Sequence, residues 1–218
     1  MTRNRYRIRF TKTEAMRFTG HLDLQRAWER LLRRARIPIA YSAGFHPHPK
    51  IQIGAALPLG ATGENELVDI ETDAPVDPAE TAARLNEAAP PGIRVREVSD
   101  LAEGSPGLEK IIAAGEYAVA PLDGAWPADL RRRIGGLLAS PAVLRERRGK
   151  SYDLRPRVLS IEFDDPALRM RLNLAQEATG RPDEVLAALG LGDFPVDIRR
   201  TRLVLADNDG PTKENTPR

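Results

Sequence analysis

Tyr6, Ile8 and Phe10 alternate with Arg5, Arg7 and Arg9. This period of two predicts a half-buried strand that carries arginines along its outer face. The period then lengthens. Over 22–36, Leu24, Ala27, Trp28, Leu31, Leu32 and Ala35 recur at helical spacing, leaving Arg26, Arg30, Arg33, Arg34 and Arg36 on the remaining surface. Met16 and Phe18 flank Arg17 in a shorter alternation before it. Pro38 ends the helix, and extended segments follow at Ile39-Ala40-Tyr41, at Ile51-Gln52-Ile53 and over 66–71. Asp77-Pro78-Ala79-Glu80 combines a capping aspartate, a first-turn proline and a glutamate three residues on, which predicts a helix start. Pro90-Pro91-Gly92 stops that helix, and Ile93, Val95 and Val98 predict a fourth strand.

After a glycine- and proline-bearing stretch at 99–107 the order recurs. Strand 116–120, helix 128–138, an extended piece at 143–147, a hairpin of 158–163 with 168–174, helix 182–189 and strand 196–205 are expected. The fold class predicted is α+β, as two tandem ferredoxin-like (βαββαβ) domains. The first spans 1–100, a linker 101–112, the second 113–206, and a polar tail, expected to be disordered, 207–218.

Charge sharpens this picture. The net charge is only +2, yet residues 1–60 hold 12 basic and 3 acidic side chains and residues 61–110 hold 4 and 12. Such segregation suits a local phosphate-binding surface, or else acidic strands that neutralise basic ones across a sheet. Arginine outnumbers lysine 28 to 5, which suits nucleic acid but also follows from codon bias. Cysteine is absent, so disulfides, thiol chemistry and a cysteine-held iron–sulfur cluster in this chain are excluded. No apolar run is long enough for a membrane span and the first residues lack a signal-peptide core. The expectation is a cytoplasmic bacterial protein with no membrane partner.

Two segments could carry chemistry. Tyr41-Ser42-Ala43-Gly44-Phe45-His46-Pro47-His48-Pro49-Lys50 holds two of the three histidines in a loop stiffened by proline. His21, His46, His48 and Asp23 have the atoms for a metal or for acid–base work. At i, i+2 His46 and His48 point apart in an extended chain, and no metal ligand set is assigned. Residues 145–157, with Arg145, Arg147, Arg148, Lys150, Arg155 and Arg157 around Tyr152, suit a phosphate backbone and one stacked base, or a plain solvated hairpin. No P-loop, dinucleotide-binding glycine motif, nucleophile elbow or HExxH helix is present.

Four stretches together resemble the radical SAM-associated (radical SAM-linked) DUF2344 family. They are Arg17-Phe18-Thr19-Gly20-His21-Leu22-Asp23, Leu31-Leu32-Arg33-Arg34-Ala35, Pro38-Ile39-Ala40-Tyr41 continuing through the His/Pro loop to Lys50, and Ala56-Leu57-Pro58-Leu59-Gly60; residues 150–156 match more weakly. Position 19 is Thr where the family pattern has Ser, a change that keeps the hydroxyl. In that family the domain is fused to a radical SAM module or encoded beside one. The resemblance therefore implies a stand-alone partner of a radical SAM protein, with the cluster and SAM on the partner and no cofactor on this chain. It implies no known reaction.

The reading that follows is a non-catalytic subunit that binds RNA, of tRNA or rRNA class, and presents it to a radical SAM enzyme. Its candidate RNA contacts are Arg5, Arg7, Arg9, Arg30, Arg33, Tyr41, Phe45, His46, His48, Lys50, Arg147, Arg148, Lys150 and Arg155. Two alternatives stay open: a metal-independent RNA endonuclease or processing enzyme with His21 or His46 as general base, and a pure protein-interaction module.

Overall fold

The computed structural model describes residues 4–147, 149–175 and 178–206; the expected tail and Arg148 lie outside them. The fold is mixed α/β. Its elements in order are β1 (Asn4–Lys12), α1 (His21–Arg34), β2 (Ile51–Ile53), β3 (Ala61–Thr72), α2 (Pro78–Ala88), β4 (Ile93–Asp100), α3 (Leu108–Ile111), β5 (Ile112–Pro121), α4 (Leu130–Ala139), β6 (Leu144–Arg147), β7 (Lys150–Asp153), β8 (Val158–Asp164), β9 (Ala167–Asn173), α5 (Pro182–Ala188) and β10 (Val196–Leu205).

One eight-stranded sheet organises the described residues, in the order β4-β1-β3-β10-β5-β9-β8, with β2 also on β3. In the first half β4, β1, β3 and β2 pair antiparallel in that order. In the second, β10, β5, β9 and β8 do the same. The join is parallel: Ile198 to Arg200 of β10 lie beside Ala61 to Gly63 of β3. The strands of the two halves thus form a single sheet across the position expected to separate two domains. β6 and β7 form a hairpin of their own.

Alternation sets the layers. Tyr6, Ile8 and Phe10 of β1 and Val68 and Ile70 of β3 meet Leu24, Trp28, Leu31 and Leu32 of α1 and Leu85 of α2. Tyr117, Val119, Leu168, Met170 and Leu172 meet Leu130, Ile134 and Leu137 of α4 and Val185 and Leu186 of α5. On the opposite face Leu67, Ile112 and Leu203 pack with Leu108 of α3 and with Leu174. The stretch expected as a plain linker therefore covers part of the open sheet face.

Local chemistry explains the boundaries. The Asp77 carboxylate accepts the Glu80 amide at 2.7 Å, with Pro78 in the first turn, as the sequence predicts. At the end of α1, Arg36 takes a left-handed φ of 53°, Ile37 N donates to Leu32 O at 3.0 Å and Arg36 N to Arg33 O at 3.1 Å, closing a Schellman motif. The alternation expected through Met16 and Phe18 is instead a short 3-10 turn over Glu14–Met16. The extended piece expected at 39–41 makes only isolated bridges, Ile39 to Thr72 and Tyr41 to Pro49.

Candidate functional site

Arg200 is fully buried where β3 and β10 meet. Its Nε donates to Glu66 Oε1 at 2.8 Å and its Nη2 to Glu66 Oε2 and to Ala55 O; Nη1 reaches Ala56 O at 3.3 Å and the Tyr117 hydroxyl at 3.5 Å. Burial opposes its charge, but the Glu66 carboxylate more than offsets this and holds the guanidinium protonated well above its ordinary range. Lys12, also buried, donates to Arg17 O at 3.2 Å and Ala61 O at 3.1 Å. Burial lowers its pKa, Glu66 raises it and Arg200 lowers it again. The junction therefore encloses two cations and one carboxylate.

A cleft of about 470 Å3 opens beside this cluster. His21 and Gln25, one turn apart at the start of α1, form part of its wall. Gln52, Ile53 and the Gly54-Ala55-Ala56 backbone form another part, α3 gives Glu109, and Tyr117 and Thr179-Gly180-Arg181-Pro182 come from the second half. Loss of hydration, followed by the positive charge of Arg200, lowers the His21 pKa and favours the neutral imidazole at pH 7. Arg181 is clamped by Asp183 through Nε (3.0 Å) and Nη2 (2.9 Å). Glu109 takes a hydrogen bond from Gln52 Nε2 at 2.8 Å.

The arginine ladder lies on the open face and is matched by acids. Arg7 makes a two-pronged pair with Asp69 at 2.8 and 2.9 Å, Arg5 reaches Asp69 at 3.7 Å and Ser105 O, and Arg9 reaches Glu97 at 3.5 Å. Lys50 binds Glu71 at 2.7 Å. Tyr41, Phe45, His46 and His48 project on an exposed loop, with Phe45 99% exposed. The structure puts His21 in the cleft wall without these residues. Among the described residues no group of three or more His, Asp or Glu is placed to hold a metal ion.

Arg30 and Arg33 sit with Arg34 around a groove of about 320 Å3 that also contains Met16, Ala27 and Pro90. Arg147 lies 3.9 Å from Glu184, and Lys150 is exposed on the same hairpin. Arg155 ties backbone together, since its guanidinium donates to Leu138 O at 3.1 Å and Val158 O at 2.9 Å. Tyr152 lies under Arg157, 4.2 Å from ring centre to guanidinium. Arg200, Glu66, Lys12, Tyr117 and Arg181 do not stand out in the sequence as site residues. The available signal is Glu66 in phase with Val68 and Ile70, and Arg200 in phase with Ile198, on the inward face of each strand.

A family model described as an uncharacterized protein conserved in bacteria (DUF2344) matches residues 5–182. The chain belongs to the DUF2344 family. The region matched to DUF2344 includes the cleft residues contributed by α1, β2, α3, β5 and 179–182, while Arg200 lies beyond it. No curated protein matches it. It is similar to the crystal structure of an unknown protein from Galdieria sulphuraria at 12% identity, with 94% of this chain and 99% of that one covered. The TM-score is 0.27, too low for the likeness to carry an argument. No helix among the described residues is long and apolar enough to cross a membrane.

Proposed function

We propose that this DUF2344 protein is a non-catalytic partner that binds RNA, of tRNA or rRNA class, and presents it to a radical SAM enzyme in the cytoplasm. The observation that carries the RNA part is the α1 groove. Arg30, Arg33 and Arg34 surround it, and no described carboxylate neutralises them. Unpaired guanidiniums on a helix face are free to take phosphate oxygens. The ladder of Arg5, Arg7 and Arg9 contributes less to this reading, because each arginine already faces a carboxylate, Asp69 for Arg5 and Arg7 and Glu97 for Arg9. Arg147 and Lys150 on the exposed hairpin, and Phe45, Tyr41, His46 and His48 on their loop, are further candidate contacts of this reading. The radical SAM part rests on the family resemblance and on a chain without cysteine, which leaves the cluster and SAM to the partner.

The repeated antiparallel order, fourth-first-third-second in each half, supports reading the halves as tandem ferredoxin-like units fused along one sheet. The endonuclease reading has one observation in its favour: His21 sits in a cleft wall, and its lowered pKa keeps the imidazole unprotonated at neutral pH, the form a general base uses.

Fluorescence anisotropy of a labelled tRNA transcript across a salt series tests the main reading. Wild-type protein should bind, and Arg30→Ala/Arg33→Ala should bind more weakly, with the log affinity–log salt slope flattened by about 1.5. Unchanged affinity and slope would remove the groove from the proposal. RNA cleavage in the presence of chelator, lost in His21→Ala or His46→Ala, would establish the enzyme instead. Purification of a tagged chain from its host should bring a radical SAM protein with it.

A further inference from the structure

We infer that the junction cleft is a binding site for one nucleoside monophosphate unit. Arg181 contacts the phosphate, and the apolar wall of Ile53, Ile112 and Leu174 carries the base. The inference stands apart from the α1 groove, since the two use different residues.

Size comes first. At about 470 Å3 the cleft lies within the range of small-molecule sites; it fits one nucleotide and is too small for a strand. Charge comes second. Asp183 fixes Arg181 through Nε and Nη2, and no described residue takes a hydrogen bond from Nη1. The clamp sets the guanidinium plane before any ligand arrives, so little side-chain freedom is lost on binding. Beneath the cleft, Arg200 and Lys12 outweigh Glu66 by one positive charge. This charge is buried, where it acts with little screening by salt. Glu109 is the acid on the lining, and it is already tied to Gln52. Glu109 and Asp183 offset that positive charge, so anion binding rests on the open Nη1 edge of Arg181.

Recognition of the rest of the ligand comes third. His21 and Gln25 offer neutral donors and acceptors from one turn of α1, and Ile53, Ile112 and Leu174 offer apolar contact. An anionic head with a planar, hydrogen-bonding, partly apolar body describes a nucleotide. A free nucleotide and the 5′-phosphorylated end of an RNA share this chemistry.

The experiment is calorimetric titration of the full chain with AMP, GMP, CMP and UMP, with the four nucleosides and with inorganic phosphate. At least one monophosphate should bind, and its nucleoside should bind ten-fold more weakly or worse. Arg181→Ala should cost ten-fold or more in affinity, whereas Arg30→Ala/Arg33→Ala should leave it unchanged. The His21 imidazole resonances should shift on nucleotide addition, a readout that needs no variant. Competition by a 5′-phosphorylated trinucleotide would identify an RNA end as the source; failure to compete would identify the free nucleotide. Three results would overturn the inference: no binding by any monophosphate, phosphate binding as tightly as the nucleotides, or affinity indifferent to Arg181→Ala with His21 unshifted. Loss of RNA binding in the groove variant with nucleotide binding intact would leave this site standing, and the reverse would leave the groove.

Discussion

Glu66 and Arg200 stand 134 residues apart in sequence and are joined through both carboxylate oxygens in the buried junction. Glu66 pairs with Arg200 and also attracts Lys12, offsetting part of their combined charge. Glu66→Gln should therefore destabilise the fold by about 3–5 kcal/mol, as expected when one partner of a buried pair is removed. Urea unfolding measures it. Glu116→Gln, which weakens the half-exposed pair with Arg202, should cost less than about 1 kcal/mol in the same assay. His21 adds a pH dependence. In the unfolded chain its imidazole titrates near about 6.5, and in the folded protein it titrates lower. Between those values the unfolded state holds the extra proton, so stability falls as pH drops through about 6.5 and levels off below the folded pKa. Melting of His21→Gln should show a smaller loss of Tm between about pH 7.5 and about pH 5.5 than the wild type.

At the level of elements, α1 ends on a non-glycine residue in the left-handed region, Arg36 at φ 53°. Glycine adopts that conformation without the Cβ clash. Arg36→Gly should raise stability by about 1 kcal/mol, read as a higher urea midpoint. The backbone bonds from Arg36 and Ile37 to Arg33 and Leu32 survive the change. The helices are legible in the sequence wherever a stripe or a cap declares them: the Leu24–Leu32 stripe marks α1, Asp77-Pro78 marks α2, and β10 falls at its expected bounds. The first third of β3 is not legible. The expected strand begins at 66, whereas β3 begins at Ala61; a Cβ at Gly63 would meet Glu66 Oε1 at 2.5 Å, so that glycine makes room for the buried acid inside a strand. The cleft is half legible. His21 stands out by residue type, and strand phase places Glu66 and Arg200 inward, but their meeting depends on a pairing of β3 with β10 that no local pattern encodes.

Across the whole molecule, the parallel contact of β3 with β10 makes the two halves share a sheet. The connector is also held, through Leu101 N on Arg5 O at 2.9 Å and the buried Leu108. A protease site inserted at Gly104, a left-handed glycine in open space, should cut without releasing the halves, which should elute together on size exclusion at neutral pH. Separation would show that the joint needs the covalent link. The shared sheet also imposes an order on synthesis. Residues 61–63 lie beside residues 198–200, so at ribosomal rates of about 5–20 residues per second that edge of β3 waits roughly 7–27 s for its neighbour. Until then Glu66 stands on a strand whose neighbour is still missing, and an acidic side chain pointing inward is a device that deters one open edge from pairing with another.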